Sequence, residues 1–186
     1  VSSSTIWGAG AGSTIEFGSA ADAATFTANF GGGFISLGAG NDNITFSGAG
    51  ITNTTIVGTE NSDTIAFNAG EASAVFGAAI GTGAQVSFGN SADMATFNGA
   101  ISAGSIYGGG GKDTLAFAGA VTSGATIDQG AGSDSVYFGS SLTGTTLTGN
   151  GADTFSMQGA TTVVFGALGT AASLVTFGSN ADMGTF

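Results

Sequence analysis

Apolar residues recur along this chain at two fixed distances from a repeated aspartate. Asp stands at 22, 42, 63, 93, 113, 134, 153 and 182, at intervals of 20, 21, 30, 20, 21, 19 and 29 residues. Four residues after each comes Phe26, Phe46, Phe67, Phe97, Phe117, Phe138, Met157 or Phe186. Seven residues before each stands Ile15, Ile35, Ile56, Val86, Ile106, Ile127, Thr146 or Val175. An apolar position therefore precedes each Asp as regularly as an aromatic follows it, which predicts two short strands per repeat joined by a Gly-rich turn. In Asp42-Asn43-Ile44-Thr45-Phe46 apolar and polar residues alternate, the period of a strand with one buried face.

One such repeat cannot bury its own Phe, whereas repeats stacked in parallel make a continuous core. The expected fold is all-β: a parallel β-solenoid, β-roll-like, with coils of about 20 residues and an internal Phe ladder. Phe46 is expected over Phe67, and Phe117 over Phe138. Eight coils spaced by about 4.8 Å give a rod of roughly 40 Å. Glycine suits tight corners that need positive φ, and the absence of Pro suits central strands.

A longer period lies above the coil. The segment from Phe17 to Phe26 recurs as Phe88 to Phe97 and as Phe177 to Phe186, at separations of 71 and 89 residues. This divides the solenoid into super-repeats of roughly 18–88 and 89–177, with a third starting at 178–186; the second is longer by the coil that holds Asp153. The two long intervals share Val75-Phe76-Gly77 and Val164-Phe165-Gly166, and each reads as an added half-coil with its own strand, near 74–84 and 163–173. Such a strand either widens the coil or bulges from it. Trp7 substitutes for Phe76 at the matching half-coil position. Because the chain begins and ends inside a repeat, residues 1–186 are expected to be one continuous piece of a larger repetitive protein.

Composition narrows the chemistry. There is no Cys, Pro or His, and Lys112 is the single basic residue against twelve carboxylates, for a net charge of −11. General acid–base, nucleophilic and phosphate-binding sites lack their usual residues, so no catalytic role is expected. The charge opposes nucleic acid and anionic membrane and favours cations. With 42% hydrophobic residues, fifteen Phe among them, the chain has too much apolar surface for a disordered acidic segment. No apolar run approaches the length of a membrane span.

The turns carry the remaining signal. Gly108-Gly109-Gly110-Gly111-Lys112-Asp113-Thr114-Leu115-Ala116 resembles the nonapeptide repeat of the RTX family, Gly-Gly-x-Gly-x-Asp-x-U-x with U apolar, at every specified position. The turns with Gly38, Gly40 and Asp42, with Gly130, Gly132 and Asp134, and with Gly149, Gly151 and Asp153 lack only the first Gly. The turn from Gly58 to Asp63 has one extra residue. Asp22, Asp93 and Asp182 depart further, because Gly-x-x-x-Asp replaces Gly-x-Gly-x-Asp, and are weaker sites. The resemblance implies Ca2+ bound by Asp42, Asp63, Asp113, Asp134 and Asp153 with their glycine turns, Gly109 and Gly111 included. Since the Asp turn comes once per coil, calcium is expected along one edge.

Electrostatics ask for a cation independently. Carboxylates stacked about 5 Å apart repel by roughly 0.8 kcal/mol in water and by more when desolvated. Calcium would remove that repulsion and accept turn carbonyls; otherwise each Asp closes an Asx-turn on its own backbone. Glu16, Glu71 and Asp128 are expected to be solvated surface charges and Lys112 to face outward, while Glu60 lies in a motif turn and could add an oxygen.

The RTX resemblance implies a bacterial protein, secreted or on the cell surface, that folds when it meets calcium outside the cell. The expected role is a structural calcium-binding module of a surface layer, filament or adhesin, associating with copies of itself. Two alternatives stand beside it. An ice-binding solenoid would share the Gly-x-Gly-Asn-Asp turn, and a non-catalytic RTX module would be attached to an extracellular enzyme.

Overall fold

The Asp-bearing turns from Asp22 to Asp153 each deliver the chain into a short strand whose alternate residues are buried, as in Asn43–Phe46, Thr64–Phe67 and Thr114–Phe117. The structure is a computed structural model that describes residues 2–6, 11–48, 50–68, 70–180 and 182–186. Strands pair in parallel with their counterparts about one coil away, Ser2 with Asp22 and Phe46 with Phe67 for example. Successive strands alternate between two sheets, and the result is a β-solenoid of about eight turns. The Trp7 expectation lies outside the described residues.

The front sheet runs through Ser2–Ile6, Asp22–Phe26, Asn43–Phe46, Thr64–Phe67, Gln85–Ser87, Ser105–Tyr107, Thr126–Gly132 and Leu142–Gly151, and continues with Thr161–Phe165 and Asp182–Thr185. The back sheet runs through Thr14–Glu16, Phe34–Ser36, Gly50–Val57, Glu71–Phe76, Met94–Phe97, Thr114–Phe117, Ser135–Phe138, Thr154–Met157 and Leu174–Phe177. Turns leading into the front sheet form the near edge of the solenoid, and turns leading into the back sheet form the far edge.

The half-coils neither widen the coil nor bulge from it. Across the first long interval the register still advances by one coil in each sheet, pairing Thr64 with Gln85 and Phe76 with Phe97. The additional strand takes an ordinary place in the stack. Its effect is on the later coils, because their Asp turns fall on the other side. Asp22, Asp42 and Asp63 lead into front strands, Asp93, Asp113, Asp134 and Asp153 into back strands, and after the second long interval Asp182 leads into a front strand again. The expected single edge is therefore corrected to two. A separation of 71 residues amounts to about three and a half coils, so successive super-repeats use opposite edges.

Both sequence columns contribute to both sheets. Ile35 and Ile56 stack directly beneath Phe76, Phe97, Phe117, Phe138 and Met157 in the back sheet. In the front sheet Phe26, Phe46, Phe67 and Phe88 stack face to face with centroids 4.7, 4.9 and 5.0 Å apart. The back-sheet stack from Phe76 to Phe138 is equally regular, at 4.7, 4.8 and 4.8 Å, and both expected Phe pairs are present. Each stacked pair adds about 0.5–1.5 kcal/mol beyond the burial of its rings. The inward residue before Asp153 is Leu147, paired with Ile127, and not Thr146. The turn there is one residue shorter, so the seven-residue spacing lands on the outward neighbour.

Close stacking explains the turn glycines. Gly130 has φ 76°, and a Cβ there would collide with the carbonyl of Gly109 in the adjacent coil. Gly31, by contrast, has open space around it.

Candidate metal centre: two carboxylate ladders

The carboxylates at the edges are held by the coils next to them. The Asp42 amide donates to Oδ1 of Asp63 at 2.7 Å, and the Asp22 amide donates to Oδ1 of Asp42 at the same distance. On the far edge Ala72 donates to Oδ1 of Asp93 at 2.6 Å, Asp93 to Asp113 at 2.8 Å, Asp113 to Asp134 at 2.8 Å and Asp134 to Asp153 at 3.1 Å. The far-edge ladder ends in a substitute: the Asp153 amide donates to Oγ of Ser173. Asp182 instead takes Thr161, whose amide and hydroxyl both donate to its Oδ1.

These bonds satisfy one oxygen of each carboxylate. Oδ2 of Asp42, Asp63, Asp93, Asp113, Asp134 and Asp153 is buried without a hydrogen-bond partner, although the side chains are at most 2% exposed. The Asx-turn alternative fails at these positions, because Oδ1 goes to the neighbouring coil. Asp128, off the ladder, does close a turn, its Oδ1 accepting from Gly130 at 3.1 Å.

Burial sets the protonation of the column. Desolvation raises the Asp113 carboxyl to about 7, opposed by the Asp93 amide and reinforced by the charges of Asp134 and Asp93. It raises Asp93 to about 6, against the Ala72 amide and with help from Glu71. Asp42, Asp63 and Asp134 are raised for the same leading reason. The column holds more negative charge than its surroundings solvate.

The structure sorts the remaining sequence candidates. Asp93, set apart by its turn sequence, is as buried and as regularly bonded as the others. Asp22 and Asp182 are half-buried. Glu16, Glu60, Glu71 and Lys112 are exposed and Asp128 is half-buried. Gly38, Gly40, Gly109, Gly111, Gly130 and Gly132 all have positive φ, while Gly149 and Gly151 adopt ordinary φ in the shorter turn. Gln129, wholly buried inside the far edge, carries no signal along the chain that sets it apart. Nor do Ser173 and Thr161, because they contact the ladder across a coil and not along the chain.

A calcium-sized cation fits the donor chemistry in one respect: Asp42, Asp63, Asp93, Asp113, Asp134 and Asp153 each offer a buried carboxylate oxygen without a hydrogen-bond partner. Among the described residues no three acidic side chains converge on one point. An ion would therefore take carboxylate oxygens from successive coils and complete its six to eight ligands with neutral oxygens of the turns. No protein-family model, no curated protein and no solved structure matches the chain.

Proposed function

We propose that this chain is a structural rod, stiffened by calcium, within a bacterial protein that is secreted or displayed on the cell surface. The observation that carries this reading is the set of buried Oδ2 atoms without partners on Asp42, Asp63, Asp93, Asp113, Asp134 and Asp153. A buried polar atom left unpaired costs about 1–3 kcal/mol, and more when charged. Calcium bound only by the folded rod offsets that cost and stabilises the fold by mass action. The RTX-like turns point the same way, and extracellular calcium is plentiful enough to fill modest sites. A role in a surface layer, filament or adhesin, beside other copies of the chain, is the reading that a rod of uniformly stacked coils supports best.

The outward rows favour a scaffold over an ice-binding face. Thr25, Thr45, Ala66, Ser87, Tyr107 and Asp128 succeed one another along the front sheet, a mixed row with no regular spacing of hydroxyls. Calorimetric titration of calcium into chelator-treated protein, followed by circular dichroism with and without EGTA, tests the proposal. Binding coupled to a gain of β-signal or of melting temperature is expected. A β-signal and melt indifferent to calcium would sink it.

A further inference from the structure

The interior position just before each ladder aspartate forms a row of its own. On the far edge Phe88 bonds to Tyr107, Gly108 to Asp128 and Gly149 to Ala167, amide to carbonyl. Together with the pairing of Asp128 and Thr148, these bonds set Phe88, Gly108, Gln129, Gly149 and Leu168 side by side. Phe17 and Leu37 hold the equivalent place on the near edge. The far-edge row is apolar at its ends and polar in its middle.

At the middle stands Gln129, 0% exposed, with neither Oε1 nor Nε2 hydrogen-bonded. Its neighbours are glycines where Phe or Leu stands elsewhere, and a Cβ at Gly108 would collide with the Gln129 carbonyl of the next coil. A Cβ on Gly108 would lie 3.1 Å from Oδ2 of Asp113, and one on Gly149 would collide with Oδ2 of Asp153. Side-chain positions in this row thus face the unpartnered oxygens of the ladder. Gln129 carries the side chain its neighbours lack, in register with Asp134. By contrast Thr59, a buried polar residue of a near-edge turn, is satisfied, its hydroxyl donating to the Ala79 carbonyl at 2.7 Å.

We propose that Gln129 joins Oδ2 of Asp134 and Asp153, on successive coils, in an internal site for a calcium-sized cation, the tightest in either ladder. This rests on the cation-bearing ladder proposed above. The amide oxygen is a neutral hard donor of the kind calcium accepts beside carboxylates, and Nε2 can donate to a carboxylate oxygen that the ion leaves free. Phe88 and Leu168 close the row at either end, limiting water and strengthening every charge interaction inside.

The test uses selective 15N-glutamine labelling, since the chain has three glutamines, Gln85, Gln129 and Gln158, and Gln85 and Gln158 are exposed. During calcium titration of chelator-treated protein, the Gln129 side-chain amide is expected to shift with the first equivalent while the other two stay in place. In parallel, Gln129→Leu, the residue that stands in this row at Leu168 and in the equivalent near-edge place at Leu37, is expected to abolish the tight class or weaken it at least tenfold, and to leave the weaker sites. Calcium binding that leaves the Gln129 resonance unmoved, or an unaltered tight class in Gln129→Leu, overturns the internal site and leaves the ladder proposal standing. No calcium binding by the natural sequence removes both.

Discussion

The amide of Asp113 donates a 2.8 Å hydrogen bond to Oδ1 of Asp134, one coil further along the chain. The same bond links Asp93 to Asp113 and Asp134 to Asp153. Each carboxylate is thereby fixed by the backbone of its neighbour, and the stacking of coils imposes the stacking of charges. Removing that charge, by a proton or a cation, is then coupled to the stability of the whole stack.

Protonation gives the first prediction. With Asp113 raised to about 7 and Asp93 to about 6, the folded chain binds more protons than the unfolded chain from near the ordinary carboxylate value of 3.8 up to about 7. Stability without calcium therefore falls as pH rises through that window, by at most about 1.4 kcal/mol per pH unit for each titrating group. Thermal melts in EGTA should show a transition several degrees lower at pH 7.5 than at pH 4.5. A transition that climbs over this range would contradict the burial of these carboxylates as charged groups.

Asp113→Asn separates the two roles of the side chain. The amide keeps an oxygen to accept from Asp93 and removes the charge. In EGTA at pH 7.5 the variant should melt several degrees above the natural protein, whereas its calcium affinity should fall at least tenfold. Loss of stability under both conditions would mean that the hydrogen bond, and not the charge, dominates at this position.

The aromatic stacks are expected to be intolerant of truncation and tolerant of repacking. Phe117 lies between Phe97 and Phe138 with 4.8 Å on either side. Phe117→Ala should cost about 3–5 kcal/mol in denaturant unfolding with calcium present. Phe138→Met should cost less than about 1.5 kcal/mol, because Met157 already occupies the next place in that column.

The half-coil can be excised. Deleting Gly77–Val86 joins Phe76 to Ser87 and Phe88, the alternation already present in Ile35, Ser36 and Leu37. The shortened chain should fold with Asp93 directly following Asp63 on the near edge. Because the natural chain has no Cys, Ser62→Cys with Ala92→Cys reports the outcome: an intramolecular disulfide should form on oxidation of the shortened chain and not of the full-length one. Crosslinking in both, or in neither with folding intact, would refute the assignment of edges.

Much of this is legible in the sequence. The Asp and Phe spacings contain the coil length, and alternation such as Ile44-Thr45-Phe46 separates inside from outside. Alternation carries no information about which sheet a strand joins, however, so a 30-residue interval reads as an added element when it is a coil and a half. The fixed seven-residue spacing selects Thr146 because it takes no account of a turn one residue shorter. Gln129 sits between an Asp and a Gly in a turn, where polar residues usually meet water, and only the stacking of Gly108 and Gly149 on either side turns it inward.

The excised half-coil also shows what the position of a carboxylate on this rod records, which is the parity of everything inserted before it. A whole-coil insertion, like the one carrying Asp153, lengthens the rod and leaves every later carboxylate on its side. Half a coil moves all of them at once, without altering a single turn motif.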